Sequence, residues 1–283
     1  MALIAEAPAK INRELRVGPR RPDGFHEIRS RFCAIDFCDR LEVEESDRVE
    51  LSCSGLPVPC GDTNLVARAA RALADRLGVA SGARIRLEKR VPAGAGLGGG
   101  SADAAVTLLL LSKLWSSRLR QDELSEVAAR LGSDVSFFLS GGEADVAGRG
   151  ESVTPLGDSP PQELLLWIPP FSISTAEVYA TYDRLTATAA ALPDSLEIET
   201  KRSFLGPNEL ASAVLETERQ MEDYLLSARQ VASESGITGS GSALLLIGVG
   251  PEGEKRLTQT HPEATLRRVR TLTREEYRRR TTA

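Results

Sequence analysis

The sequence predicts an α/β protein of about two domains, and three observations carry that prediction. Residues 84–91 alternate apolar and charged side chains as a half-buried strand does, residues 91–105 are dense in glycine, and residues 104–111 read as helix core. Strand, glycine loop and helix in that order bring bare backbone N–H groups and the positive end of a helix dipole to one point, which is how a phosphate is cradled. The 283 residues suffice for two cores, and glycine, aspartate, serine and two prolines cluster at residues 155–161 as at a boundary. Beyond it a buried strand at residues 164–168 starts a second set of elements. The domains are therefore drawn as residues 1–157, carrying the loop, and 158–283.

Two better-known phosphate loops are tested against this one. Gly94, Gly96 and Gly99 satisfy G-x-G-x-x-G, but that fingerprint belongs to the first strand–helix unit of a parallel sheet. Here a long strand-rich segment precedes it and Pro92 stands between strand and loop. The loop that ends in Gly-Lys-Ser/Thr also fails, since Gly100 and Ser101 stand where Gly-Lys is needed. A flexible linker would be a Gly/Ser mixture with no buried helix attached. A nucleoside triphosphate loop of another type is the preferred reading.

A net charge of −5 and a pI near 5.4 do not suit a protein whose main partner is nucleic acid or an anionic membrane. Residues 1–10 lack the charged start and long apolar run of a signal peptide, and the apolar run 108–111 is far below the ~18 residues of a membrane span. Cys33, Cys38, Cys53 and Cys60 form no C-x-x-C pair, and with only His26 and His261 beside them the spacings do not fit zinc. Free thiols in a reducing cytoplasm are expected.

In chain order, residues 2–17 read as a strand broken at Pro8, with Lys10 and Asn12 projecting the same way, as solvent-facing strand residues commonly do. Arg20-Arg21-Pro22-Asp23-Gly24 is a turn that sets Phe25 and His26 at the start of a new strand. Residues 40–45 and 48–54 look like an antiparallel pair, and Asp62-Thr63 caps a helix with Leu65, Ala69, Leu73 and Leu77 on one face. After the loop helix, residues 122–131 form a second helix ended by Gly132 in the usual C-terminal manner. Asp134 then precedes an apolar run, where a helix cap is the bland account. Gly141-Gly142 and Gly148-Arg149-Gly150 bracket a strand. In the second half, helices are expected at 175–185, 208–218 and 220–234, strands at 164–168, 243–249 and 265–272, and a surface stretch at 186–203. A second glycine turn, Gly236 to Ser242, could close with the first over one ligand. The arginine-rich terminus reads as a solvated helix face.

Ala7-Pro8-Ala9-Lys10-Ile11-Asn12, Arg21-Pro22-Asp23-Gly24-Phe25-His26-Glu27, the glycine loop, Leu131-Gly132-Ser133-Asp134-Val135 and Thr238-Gly239-Ser240-Gly241-Ser242 together resemble the GHMP superfamily of small-molecule kinases. The order matches over nearly the whole chain, and the Ala-Lys-Ile-Asn and Pro-Asp-Gly-Phe-His-Glu segments resemble its cytidyl-substrate member. The resemblance implies an N-terminal domain like ribosomal protein S5 domain 2, a ferredoxin-like C-terminal domain, and ATP-dependent phosphorylation of the 2-hydroxyl of a cytidyl-diphosphate polyol in the non-mevalonate isoprenoid route. It implies that ATP is held by Pro92, Ala93, Gly94, Ala95, Gly96, Leu97, Gly98, Gly99, Gly100, Ser101 and Ala102, with Ser101 near Mg2+. It places the catalytic pair on Lys10 and Asp134 and the cytidyl substrate on Asn12, Phe25, His26 and Tyr179. Partners would be ATP and that small molecule, with no nucleic acid and no membrane. The rivals are a homoserine- or mevalonate-type kinase and a catalytically silent S5-like binding protein. Arg13, Phe25 and Ser136 depart from the family's usual leucine, tyrosine and proline, and Arg13 is expected to set a second cation beside Lys10.

Overall fold

Pro8 does not break the first strand. In the computed structural model, which describes residues 2–79, 82–116, 119–187 and 203–282, β1 runs unbroken over Leu3–Arg20. Its pairing with β2 (His26–Ser46) shifts register between Pro8 and Lys10 and again between Asn12 and Glu14. Such bulges absorb a residue that cannot donate to the ladder and re-aim the side chains beside it. Lys10 and Asn12 keep a common face, but that face is interior: they are 4% and 6% exposed.

β3 (Glu50–Gly55), α1 (Leu65–Leu77) and β4 (Gly82–Lys89) follow. The expected pairing of the segments at 40–45 and 48–54 is corrected here. β4 inserts between them, antiparallel to β2 and parallel to β3, because Ile85 and Leu87 must reach the core between the neighbouring strands. The N-cap of α1 is Asn64, whose side chain accepts from the Val66 N–H, rather than Asp62 or Thr63. α2 (Gly99–Leu114) begins directly from the glycine loop and is buried nearly all round, as a central helix must be. α3 (Gln121–Leu131) ends at Gly132, which is extended (φ 177°) rather than left-handed, since the chain turns at once into α4 (Val135–Phe138). β5 (Glu143–Gly148) and β6 (Ser152–Pro155) complete a six-stranded sheet, ordered β3-β4-β2-β5-β6 with β1 also on β2.

The second half holds β7 (Glu163–Ile168), α5 (Thr175–Thr186), α6 (Ala211–Thr217), α7 (Gln220–Arg229), β8 (Glu234–Ile237), β9 (Leu244–Ile247), α8 (Pro251–Thr260), β10 (Thr265–Arg270) and α9 (Arg274–Thr281). Its sheet, ordered β10-β7-β9-β8 and antiparallel throughout, has the strand order of a ferredoxin-like unit. The helix expected to reach residue 234 stops at Arg229, because Ser233 already donates its N–H to Ile247 O of β9 and Glu234 opens β8. The surface stretch expected at 186–203 lies almost wholly outside the described residues. α9 returns to the first sheet: Tyr277 is fully buried against α4, its hydroxyl donating to Phe138 O at 2.6 Å. Two of its arginines are paired, Arg280 with Glu6 and Arg279 with Glu275, and its Glu276 pairs with Arg270 of β10.

The cores explain where a site can form. One lies under α1, α2, α3 and α4 and another under α5, α6 and α7. The third joins the sheets, with Ala9 and Ile11 of β1 and Val91, Ala95 and Leu97 of the glycine loop packed on Leu164, Leu166, Ala243 and Leu245. The loop is thus anchored by its apolar residues on the seam between the sheets, with Gly94 and Gly100 left exposed.

Candidate active site

The glycine loop borders a cavity of about 950 Å³ that is also lined by Lys10, Asn12, Phe25, His26, Asp134 and Tyr179. Sequence positions 10 to 179 therefore converge on one space, which is within the range of a ligand site for a drug-sized molecule.

The loop's shape follows from its glycines. Gly94, Gly96 and Gly98 have φ of 71°, 76° and 67°, a region that other residues seldom adopt. A Cβ on Gly96 would stand 2.3 Å from Thr238 O. The two glycine turns therefore pack backbone to backbone, and Ala243 donates its N–H to Ala95 O at 3.2 Å. Gly98 is the N-cap of α2, and the Ala102 N–H returns to its carbonyl at 2.9 Å. The N–H groups of Gly99, Gly100 and Ser101 precede the first intrahelical bond, as at any helix start, so the helix presents three donors and its positive end to the cavity.

Lys10 reaches this point from β1. Its Nζ donates to Asn12 Oδ1 at 2.5 Å and to Gly96 O at 3.0 Å, and lies 3.7 Å from Asp134 Oδ2. Burial pulls the ammonium below its ordinary pKa, and the Asp134 carboxylate opposes that pull. Asp134 sits at the N-cap position of α4 with helical dihedrals and no side-chain bond to the helix. The capping account therefore fails, and the side chain, 29% exposed, is left to face Lys10 and the cavity.

Asn12 is largely committed to the protein. Its Oδ1 takes the lysine, its Nδ2 donates to Ser30 Oγ at 2.8 Å, and its backbone N–H donates to Thr238 Oγ1 at 2.8 Å. His26 Nδ1 contacts Gly18 O at 2.9 Å, while Nε2 lies 2.9 Å from Asp183 Oδ1 but out of line for a hydrogen bond. The Tyr179 ring stacks on the imidazole, with centroids 5.4 Å apart and planes at 25°. Phe25 is half exposed, with the Arg149 guanidinium 5.2 Å from its ring centre.

Arg13 does not crowd Lys10. It leaves the other face of β1, where Nη1 donates to Glu143 Oε1 at 2.5 Å, Nε donates to Phe204 O at 3.0 Å, and the guanidinium stacks 4.1 Å from the Phe204 ring centre. Nothing in the structure explains Ser136. Sequence reasoning missed Arg149, Thr175 and Asp183 as cavity residues. The glycines flanking Arg149 were the one available signal.

A glycine loop that opens a helix, a lysine–aspartate pair beside it and a ferredoxin-like second half fit a GHMP kinase. The family model for the GHMP kinases N terminal domain matches residues 64–147. A 4-diphosphocytidyl-2-C-methyl-D-erythritol kinase of Caldanaerobacter subterraneus subsp. tengcongensis is 38% identical over 272 residues, covering 92% of each chain. One of Geobacillus is 44% identical over 181 residues, a match that spans 63% of each chain. A crystal structure of 4-(cytidine 5'-diphospho)-2C-methyl-D-erythritol kinase superposes with a TM-score of 0.76 at 33% identity, covering 95% of this chain and 98% of that one. A homoserine kinase from Cytophaga hutchinsonii shares the fold at TM-score 0.67 and 17% identity, covering 96% of this chain and 95% of that one. The chain belongs to the 4-diphosphocytidyl-2-C-methyl-D-erythritol kinase family.

Proposed function

We propose that the protein transfers the γ-phosphoryl group of ATP to the 2-hydroxyl of 4-diphosphocytidyl-2-C-methyl-D-erythritol, in the non-mevalonate route to isoprenoids. The observation that carries this reading is the Lys10–Asp134 contact of 3.7 Å at the mouth of the glycine loop. Asp134 accepts the proton of the hydroxyl as its oxygen bonds to phosphorus, and the bond from phosphorus to the bridging oxygen of ADP breaks. The buried Lys10 ammonium holds the carboxylate in place and offsets the charge that develops on the transferring group. The N–H groups at the start of α2 hold the phosphates, which fixes the donor in line with the acceptor.

Among the described residues no cluster of three or more acidic, histidine or cysteine side chains could cage a metal. The Ser101 hydroxyl on the cavity wall is an oxygen donor of the kind that suits Mg2+, which keeps much of its water and is held chiefly by substrate phosphates with one or two protein groups. Ser101, half-buried at the third position of α2, is the group that would hold it, and the ion would neutralise charge on the β- and γ-phosphates. Phe25, His26 and Tyr179 form the wall we assign to the cytidyl end. The protein is placed in the cytoplasm, where its four cysteines remain thiols.

The test is ADP release with ATP and Mg2+ while the cytidyl alcohol, homoserine and mevalonate are offered in turn, followed by single-turnover transfer with Asp134→Asn. Asparagine keeps the shape and removes the proton acceptor, so the rate is expected to fall about 10²–10⁴-fold with melting little changed. Turnover of another alcohol alone would overturn the substrate assignment. An undiminished rate in the variant would remove Asp134 from the chemistry.

A further inference from the structure

Outside the cavity the sequence sets two cysteines seven positions apart, Cys53 in β3 and Cys60 in the segment that follows, and the fold brings their thiols within hydrogen-bonding range. Cys53 Sγ also lies 4.0 Å from Pro59 O, the carbonyl of the peptide that leads into Cys60. The local chain is shaped for this return. Gly55 turns with φ 81°, so close to the end of β4 that a Cβ there would stand 2.2 Å from Lys89 O, and Leu56 donates its N–H to the same carbonyl at 2.9 Å. Pro57 and Pro59 then stiffen the stretch that carries Cys60 back over β3.

The two thiols differ in access. Cys60 is exposed and Cys53 is half-buried, and burial pushes the Cys53 thiol up to about 12. An oxidant in solution therefore meets Cys60 first and finds Cys53 behind it, the arrangement of an attacked and a resolving thiol. The pair is also tied to the cavity. Pro59 O accepts Asn64 Nδ2 at 2.6 Å, and Asn64 Oδ1 caps α1 by accepting the Val66 N–H at 2.9 Å. Leu65, the first residue of that helix, lines the cavity, and a Cβ on Gly100 would lie 3.6 Å from its Cδ1.

We propose that Cys53 and Cys60 are a reversible dithiol–disulfide pair, oxidised by a small-molecule disulfide of the glutathione class, and that the closed form binds ATP more weakly. Cys60 Sγ attacks one sulfur of the small disulfide and expels the first small thiol. Cys53 Sγ then attacks Cys60 Sγ and expels the second, so two protein thiols are oxidised while one disulfide is reduced to two thiols, which take up both protons. In a reducing cytoplasm the pair rests as thiols and closes transiently under oxidation. An S–S bond of about 2 Å is far shorter than the separation of two hydrogen-bonded thiols. Cys53 is held opposite Leu87 in the β3–β4 ladder, so Cys60 must move, and the Pro59 carbonyl with it. Asn64 either follows that carbonyl or loses it, and the start of α1 shifts against the glycine loop. This last step rests on the reading of the loop as a phosphate cradle.

The experiment treats the reduced protein and Cys60→Ser with oxidised glutathione, then reads intact mass, disulfide-linked peptides and calorimetric ATP titrations before and after dithiothreitol. The wild type is expected to lose two hydrogens and yield a Cys53–Cys60 linked peptide, with the buried Cys33 and Cys38 still free, while Cys60→Ser forms no bond within the chain. Its ATP affinity should fall roughly threefold or more on closure and return with dithiothreitol, while that of Cys60→Ser stays within about twofold throughout. A glutathione adduct that stays on Cys60, or two chains joined through Cys60, would overturn the pair. Closure with ATP affinity unchanged would overturn its effect on the nucleotide. A reduced wild type that binds no ATP would sink the cradle reading and that effect together, while the mass and peptide data still decide the pair.

Discussion

Gly100 is the loop glycine at which a methyl group can be added without moving the protein. A Cβ there would meet only Leu65 Cδ1, at an ordinary 3.6 Å. At Gly99 it would lie 2.9 Å from both Val91 Cγ1 and Lys89 Nζ, and at Gly98 it would lie 2.9 Å from Phe138 Cζ on a backbone of φ 67°. Substitutions at 98 and 99 therefore disturb the fold along with the cradle, and an ATP defect in them says little. Gly100→Ala separates the two effects by sign. As the second residue of a 16-residue helix, alanine should stabilise the protein by about 0.5–1 kcal/mol, which for a chain of this size is roughly 1–4 °C in melting temperature. The same methyl protrudes into the cavity, in front of N–H donors assigned to phosphate. Losing one charge-assisted hydrogen bond, worth about 1.5–3 kcal/mol, weakens ATP by roughly 10- to 150-fold. Calorimetric titration with ATP and thermal melts of both proteins check this. A raised melting temperature with unchanged ATP affinity would mean that the phosphates do not pass over Gly100.

Two further outcomes follow from the same geometry. Arg13→Leu leaves Glu143 without its 2.5 Å partner in a largely buried position and is expected to cost about 1–3 kcal/mol in chemical denaturation, with kcat unchanged because the side chain leaves the face opposite Lys10; a lowered kcat at equal stability would contradict that. Since burial lowers the Lys10 pKa and Asp134 opposes it, the alkaline limb of the pH–rate profile should fall below 10.5 and move further towards neutral in Asp134→Asn, and a limb that stays put in single-turnover rates would remove Lys10 as the titrating group.

Local chemistry was legible in the sequence wherever one element sufficed. The strand, loop and helix around Gly96 needed only alternation and glycine density, and β7 and β9 of the ferredoxin-like half showed as short apolar runs, whereas β8 was read as a helix end and a turn. Pairing between distant strands was not legible: nothing in residues 40–54 announces that β4, more than 30 residues on, will insert between its neighbours. Lys10 and Asn12 were assigned one face correctly, yet which face was interior depends on the second glycine turn, whose Thr238 lies 226 residues from Asn12. Arg13 looked like an intruder because alternation was applied without its distant partner, Glu143. Even α8 had a local signal, a proline at its first position after Gly250, that periodicity alone passed over.

The placement of Lys10 shows why a kinase of this design needs both halves. A lone buried ammonium tends to lose its proton, and Asp134 alone does not fix where the lysine points. Direction comes from Asn12, whose amide takes Nζ while its Nδ2 is held by Ser30 of β2 and its backbone N–H by Thr238 of the second half. Gly96 O holds the same ammonium from the loop, and Gly96 can approach only because it carries no Cβ facing Thr238 O. One lysine is thus referenced to the first sheet, the glycine loop and the second glycine turn at once. A shift of any of these three would move the ammonium relative to the glycine loop, so the seam between the sheets fixes the geometry on which the role proposed for Lys10 depends.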